Sequence, residues 1–354
     1  MKKILFILAA FAAVACSGGA GDSYAPVAPF TLSVDRTEIK SDGKQVATFI
    51  ITDADGKVLT DNEELLAKIY FKNEATGKRL TRRTKTFKSV EDGEYTFSAT
   101  VSGEECENRV TILSSGRSDI EVFRKNVAIY RFTATWCQNC PSMTQGLERI
   151  NDWTKGRVVE LGLHGAGSDF ALSIEGKSVA DHLIDRFKTG GFPSCVYDMD
   201  HKSDTRVYSE IETIIFDRIA DFPTSCGIKA SSIYKDGKVT VSANVKSSTG
   251  GKYDVGFALL RDNCIPGADA YEEEYDNVVL ALSGNYEIMS NEAFNLQKDA
   301  ESALVTKSVE VNIPAADMAN YSTVVFVLKQ NGNDVYTDNI VKFPLGGSVD
   351  YAYN

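Results

Sequence analysis

From Phe30 to Ser115 apolar and polar residues alternate with a period of two. Phe30-Thr-Leu-Ser-Val and Tyr95-Thr-Phe-Ser-Ala-Thr-Val follow this alternation, and Val46-Ala-Thr-Phe-Ile-Ile-Thr is rich in β-branched residues. Successive side chains of a strand point to opposite faces, so these runs predict strands with one buried side. Asp55-Gly56 and Asp92-Gly93 divide them, and Asp-Gly suits the tight turns of hairpins. The period changes after residue 119. Val127-Ala-Ile-Tyr-Arg-Phe-Thr-Ala predicts a buried strand, and Met143, Leu147 and Ile150 then recur at helical spacing. Val158-Val-Glu-Leu-Gly-Leu predicts a second strand, and Ser178 caps an amphipathic stretch ending near Phe187. Cys195-Val-Tyr is a short strand, and Glu210 to Ile219 predicts a closing helix. From Cys226 the period of two returns, in Val239-Thr-Val-Ser-Ala-Asn-Val and Thr323-Val-Val-Phe-Val-Leu. The acidic run Tyr271-Glu-Glu-Glu-Tyr-Asp reads as a solvated loop, and Tyr351–Asn354 as a loose end.

A chain of 354 residues exceeds what one core usually serves, so several domains are expected. Residues 30–116 predict an immunoglobulin-like β-sandwich, since short strands are punctuated by turn residues. Residues 119–225 predict an α/β unit, and residues 226–346 a second β-sandwich.

The N-terminus speaks to location. Met1-Lys2-Lys3 is basic, and Ile4 to Ala15 is an unbroken apolar run. It is shorter than the roughly 20 residues of a membrane span and fits the core of a signal peptide over residues 1–15. Ala13-Val-Ala leads into Cys16, and Ser17-Gly-Gly-Ala-Gly follows as a flexible tether within residues 16–29. The arrangement resembles a bacterial lipoprotein signal, in which the cysteine is lipidated and begins the mature chain. Ala13 stands where such signals usually carry leucine. The expectation is a protein bound to the membrane through the lipid on Cys16. A net charge of −11 argues against nucleic-acid partners.

The most informative motif is Trp136-Cys-Gln-Asn-Cys-Pro141. It sits where the first α/β strand turns into the first helix, near the unpaired N–H groups and positive dipole end of that helix. Such a position favours thiolate over thiol and can lower a cysteine pKa from about 8.5 to about 3.5–7.5. Only the thiolate attacks a disulfide, so Cys137 is the expected nucleophile and Cys140 the residue that resolves the mixed disulfide. Cys106, Cys195, Cys226 and Cys264 can be free or paired, and spacing does not choose. Only Cys137 and Cys140 form a close pair, which is too few ligands for structural zinc.

Together with Gly191-Phe-Pro193 before a strand, this motif resembles the thioredoxin-like fold. The resemblance implies that Pro193 is a cis-proline facing the dithiol, and that Phe192, Pro193 and Trp136 shape the surface that docks an extended substrate chain. More widely, Phe132-Thr133, Cys137-Gln-Asn-Cys-Pro141, His164-Gly-Ala-Gly167 and Gly191-Phe-Pro193 resemble the thioredoxin-like outer-membrane lipoproteins of Bacteroidetes. That likeness covers the α/β unit, and the flanking sandwiches match as architecture only. Two positions depart from the thioredoxin pattern. Arg131 stands where many thioredoxins bury an acid, and Gln138-Asn139 separates the cysteines. An arginine there reaches solvent or a carboxylate and cannot serve as a base. His164, at the end of the second strand, is a candidate for moving protons near neutral pH.

The resulting expectation is a lipid-anchored thiol–disulfide oxidoreductase of the outer membrane, facing the periplasm because Ser17-Gly-Gly-Ala-Gly, directly after Cys16, carries no acidic residue. It needs no bound cofactor. Its partners are envelope proteins that carry thiols or disulfides, and a separate redox partner that restores the dithiol. The other reading is a binding or adhesion lipoprotein on the same scaffold, with Cys137–Cys140 as a static staple.

Overall fold

A computed structural model describes residues 24–153, 156–174, 176–283, 289–332 and 334–354. The expected signal segment 1–15, Cys16 and the first part of the tether lie outside the described residues. Strands dominate, helices are few, and the apolar residues gather into several separate cores. The fold is therefore β-rich and multidomain-like.

The alternating N-terminal runs form two sheets. Strands β1 (Thr31–Val34), β3 (Ala47–Thr52) and β5 (Thr86–Phe87) make the smaller one. Strands β2 (Glu38–Lys40), β4 (Ile69–Asn73), β6 (Gly93–Val101), β7 (Glu104–Glu105) and β8 (Val110–Ser115) make the larger. Their inward positions, among them Leu32, Phe49, Phe71, Phe97 and Ile112, share one core. Phe49 stacks on Phe71 at 4.5 Å and meets Phe97 edge-on at 5.0 Å, geometries that suit the aromatic quadrupole. A single-turn helix α1 (Glu63–Leu66), capped by Asn62, turns Leu65 and Leu66 inward.

Next come β9 (Val127–Thr133), α2 (Cys140–Trp153), β10 (Val158–His164), the small hairpin β11 (Ser173–Ile174) and β12 (Lys177–Ser178), α3 (Val179–Phe187), β13 (Ser194–Tyr197), β14 (His201–Ser203) and α4 (Tyr208–Asp221). The chain continues through β15 (Cys226–Lys235), β16 (Lys238–Ser247), β17 (Gly251–Arg261), β18 (Val278–Ser283) and β19 (Phe294–Leu296). It ends with β20 (Val305–Glu310), β21 (Tyr321–Asn331), β22 (Asp334–Pro344) and β23 (Ser348–Val349).

A nine-stranded sheet in the order β14-β13-β9-β10-β18-β17-β21-β22, with β19 on β17, runs through both the α/β segment and the segment after Cys226. β9 and β10 are parallel, β13 lies antiparallel to β9, and β18 joins β10 in parallel through Gly162 and Val278. A Cβ on Gly162 would sit 2.9 Å from the Asn277 carbonyl oxygen. Glycine at that position lets the two backbones meet, the usual reason for glycine inside a strand. One face of this sheet is a continuous apolar surface from Tyr130 and Leu161 to Phe326 and Ile340, covered by Val179, Ala180 and Leu183 of α3. Helices α2 and α4 cover the other face near β9 and β13. The far half packs on a four-stranded sheet, β20-β16-β15-β23.

Buried charges tie these bodies together. The Glu121 carboxylate accepts from Arg117 Nε at 3.0 Å and Arg157 Nη1 at 3.0 Å, and from the backbone N–H of Thr224 at 3.1 Å. Arg117 also donates to the Ile219 carbonyl of α4 at 2.9 Å and to the Ser41 carbonyl at 3.3 Å. Arg157 pairs with Glu91 and donates to the Asn354 side chain at 2.8 Å. A second cluster sets Asp198 against Lys125 at 3.1 Å and Arg218 at 3.2 Å. The C-terminal end is thus anchored rather than loose. Arg124 N–H donates to the Ala352 carbonyl at 2.9 Å, Phe123 bridges Tyr353, and the Asn354 amide donates to Glu121. Its polar composition concealed that it supplies hydrogen bonds to a buried ionic site.

Truncating Glu121 leaves the buried Arg117 without its carboxylate, while Arg157 keeps Glu91, and breaking a buried pair typically costs about 3–5 kcal/mol. Glu121→Ala should lose about that much in urea unfolding. A loss below about 1 kcal/mol, the range of surface pairs, would show that the hub does not hold the bodies together.

Candidate functional site

The site is built where β9 ends and α2 begins. Thr133 closes a strand whose residues are all buried, and the turn that follows carries Trp136 and Cys137. Cys137 N–H donates to the Ala134 carbonyl at 3.1 Å, and Cys140 N–H to the Cys137 carbonyl at 3.2 Å. These bonds fold the turn so that Cys137 and Cys140 come within 5.5 Å between Cα atoms and form a disulfide. α2 opens at Cys140, three residues beyond Cys137. Pro141 occupies its first turn, where a missing N–H costs nothing. The bridge is interior: Cys137 keeps 5% of its surface exposed and Cys140 1%. Ala134 and Phe192 pack around it.

Trp136 is 47% exposed beside the bridge. Its ring meets Phe192 edge-on at 5.3 Å, and its Nε1–H donates to the Ala166 carbonyl at 3.0 Å. The Phe192–Pro193 peptide is cis. The loop after β10 accepts both rings because it carries glycine. A Cβ on Gly165 would meet Phe192 Cζ at 2.3 Å, and Gly167 holds φ at +76° beneath the indole. The structure therefore brings Cys137, Cys140, Trp136 and Phe192 into one cluster, with Pro193 adjoining.

His164 lies at the end of β10 and turns inward. Its Nδ1 shares a hydrogen bond with Ser168 Oγ at 2.9 Å, and its ring meets Phe170 at 5.4 Å and Tyr275 at 5.2 Å. Its buried Nε2 has no hydrogen-bond partner among the described residues. Burial, reinforced by the Arg131 charge, pushes its pKa down to about 3. A neutral imidazole at every physiological pH does not shuttle protons near neutrality, so the expectation of that role gives way to one of packing.

Arg131 is buried and pairs with Glu160. Its Nη1 donates to Thr144 Oγ1 at 3.2 Å, and that hydroxyl donates to the Cys140 carbonyl at 3.4 Å. Cys106, Cys195, Cys226 and Cys264 are all free and buried. Burial raises each thiol, to about 11 for Cys106 and Cys264, and also those of Cys195 and Cys226. A thiol that stays protonated is a poor nucleophile.

One wall of the site escaped the sequence reading. The connection between β17 and β18 folds back over the turn: Tyr271 N–H donates to the Thr135 carbonyl at 3.1 Å, and Gly267 N–H to Asp169 Oδ2 at 2.7 Å. Tyr275 packs on His164, and Glu272 is half-buried, with burial raising its carboxyl. The two tyrosines enclosing the acids were the sole signal that this loop packs at both ends.

No family model matches the chain, and no curated protein matches it. Among solved structures the chain is similar to HBP35 of Porphyromonas gingivalis, a Bacteroidetes protein. The TM-score is 0.51 at 18% identity, covering 64% of this chain and 76% of that one. A structure from Agrobacterium tumefaciens gives 0.41 at 15% identity, covering 62% and 94%. At these identities the likeness to HBP35 concerns the fold.

His164 provides a test of the packing. In the unfolded chain it binds a proton below about pH 6.5, while in the fold it stays neutral down to about 3. Its contribution to stability is therefore present above pH 6.5 and is lost as pH falls through that window, by at most about 1.4 kcal/mol per pH unit. Urea midpoints between pH 7 and 4.5 should fall less steeply for His164→Gln than for the parent. Equal slopes would refute the buried neutral imidazole.

Proposed function

We propose that this chain is a thiol–disulfide oxidoreductase of the cell envelope, working through Cys137 and Cys140. The observation that carries the reading is the disulfide itself, placed between a strand end and a helix start, beneath Phe192 and beside the exposed Trp136. A bridge across a separation of three residues constrains the unfolded chain less than bridges that close longer loops. It is thus poorly suited to stapling and well suited to opening and closing.

In the reduced form the Cys137 thiolate attacks one sulfur of a substrate disulfide. The substrate S–S bond breaks, a mixed disulfide forms, and one substrate sulfur leaves as thiolate. Cys140 then attacks Cys137 Sγ, releasing the second substrate thiolate and closing the bridge seen in the structure. The substrate gains two electrons and the protein loses two, which a separate dithiol partner returns. Run backwards, the same steps oxidise a substrate dithiol.

The order β9-α2-β10-α3-β13-β14-α4, with helices on both faces, supports reading residues 119–225 as a thioredoxin-like unit. It stands between an immunoglobulin-like sandwich at 30–116 and a β-sandwich at 226–346. The sequence of residues 1–29 supports export and lipid attachment at Cys16, in the outer membrane and facing the periplasm. Thiol- or disulfide-bearing envelope proteins are the substrates this reading calls for.

The burial of the bridge favours a second reading, a binding lipoprotein whose disulfide is static. The reduction potential decides between them. Equilibrated with graded thiol buffers and alkylated, the pair should titrate between about −120 and −270 mV, the span of known oxidoreductases. A value below about −300 mV, where structural disulfides lie, or no reduction at all, would establish the static reading. In the oxidoreductase, Cys140→Ser should accumulate a mixed disulfide on Cys137, detectable by mass spectrometry.

A further inference from the structure

The loop 264–275 reaches the turn that carries the dithiol from another part of the chain, and its backbone is tied at several points. At its base Cys264 and Tyr275 exchange backbone hydrogen bonds at 2.9 and 3.0 Å. Further along, Gly267 is pinned to Asp169 and Tyr271 to the residue preceding Trp136. Although its backbone is tied down, the Tyr271 side chain is 53% exposed and Ile265 70%. Tyr271, held by its backbone on Thr135, thus stands exposed on the same turn as Trp136, beside the covered bridge. Fixed aromatic side chains bind at low conformational cost.

The segments around the bridge are mostly acidic, with Lys342 held on Asp262 and Asn277 at the base of the loop. The segments 132–148, 164–176 and 262–277 contain no lysine or arginine. Asp169, Asp269, Glu273 and Glu274 stand exposed on them. Arg131 below is neutralised by Glu160. Segment 188–193 brings a single cation, Lys188, at the end of α3.

We propose that Trp136 and the loop 264–275 together form a docking surface for extended polypeptide segments that carry aromatic and basic residues around their cysteine. The inference rests on the reading of Cys137–Cys140 as an exchange centre and adds the substrate class. Apolar side chains of the partner lie against Trp136 and Tyr271, while its cations face Asp269, Glu273 and Glu274. Complementary charge of this kind selects partners and speeds encounter. Tyr271 is then a specificity-determining residue supplied from outside the α/β segment.

The test uses the oxidised soluble chain, with Cys16 and the residues before it removed, and two fluorescein-labelled ten-residue peptides. One alternates phenylalanine and lysine around a serine in place of cysteine; its twin has glutamate for each lysine. Serine prevents exchange, so anisotropy reports docking alone. The cationic peptide should bind about tenfold tighter than its twin at low salt, and the difference should shrink as salt rises. Tyr271→Ser should weaken it about fivefold, a hot-spot loss. The exposed double change Glu273→Lys/Glu274→Lys should narrow or reverse the preference without touching the core. Equal binding of the twins, no binding of either, or indifference to all three substitutions would overturn the proposal. Exchange with the cysteine form of the cationic peptide is followed separately. Docking without exchange leaves the surface standing and removes the oxidoreductase reading, and exchange without charge preference does the reverse.

Discussion

One buried carboxylate, Glu121, sets the terms on which the rest of the molecule is assembled. Two guanidinium groups, Arg117 and Arg157, enter the interior without solvent, and each pays a desolvation penalty that only a close anion and several carbonyls repay. The donors and acceptors come from distant stretches: Ser41 and Glu91 from connections between the N-terminal strands, Ile219 of α4, Thr224 and Asn354. No one of these bodies satisfies the hub alone. An apolar interface of similar area would tolerate sliding. A set of directional hydrogen bonds among charges has one arrangement in which every group is satisfied, so it specifies how the N-terminal sheets sit on the α/β segment.

The second constraint is backbone on backbone. β18 joins β10 where Gly162 leaves room for the Asn277 carbonyl, and from there the sheet extends through β17, β21 and β22. This fusion has a consequence for chemistry. The connection between β17 and β18 must return past the end of β10, which brings Gly267, Tyr271 and Tyr275 against Asp169, Thr135 and His164. The walls of the dithiol site are therefore drawn from two segments that look separate along the chain, and the link between them is a pairing rather than a linker.

Local pattern made much of this legible. Alternation in Phe30–Val34 and Tyr95–Val101, the helical spacing of Met143, Leu147 and Ile150, and the Ser178 cap all report interactions within a few residues, and the strands and helices lie where those patterns put them. The dithiol was legible for the same reason, since strand end, turn and helix start are contiguous. What a single sequence does not display is which distant groups meet. Nothing in the local pattern around Arg117, Glu121 and Arg157 marks them as buried partners. Tyr351–Asn354 read as a loose end because polar composition alone does not reveal a buried partner. The acidic run 271–274 read as solvated, and that holds for Glu273 and Glu274 while its backbone and flanking tyrosines are committed to the site.

The chemistry around the dithiol is set by what has been withdrawn from it. A buried acid behind the bridge would accept the proton of the resolving thiol, but that position holds Arg131, committed to Glu160 and, through Thr144, to the Cys140 carbonyl. The neighbouring imidazole of His164 is equally unavailable, locked by Ser168, Phe170 and Tyr275 and neutral to about pH 3. With neither base present, the proposed exchange relies on the helix terminus and on Cys137 itself, and its protons pass to solvent or to the leaving thiolate of the substrate. Trp136, Gln138, Asn139 and Tyr271 all stand exposed around the turn that carries the bridge. A partner chain docked on Trp136 and Tyr271 would thus lie beside the sulfurs from which those protons leave.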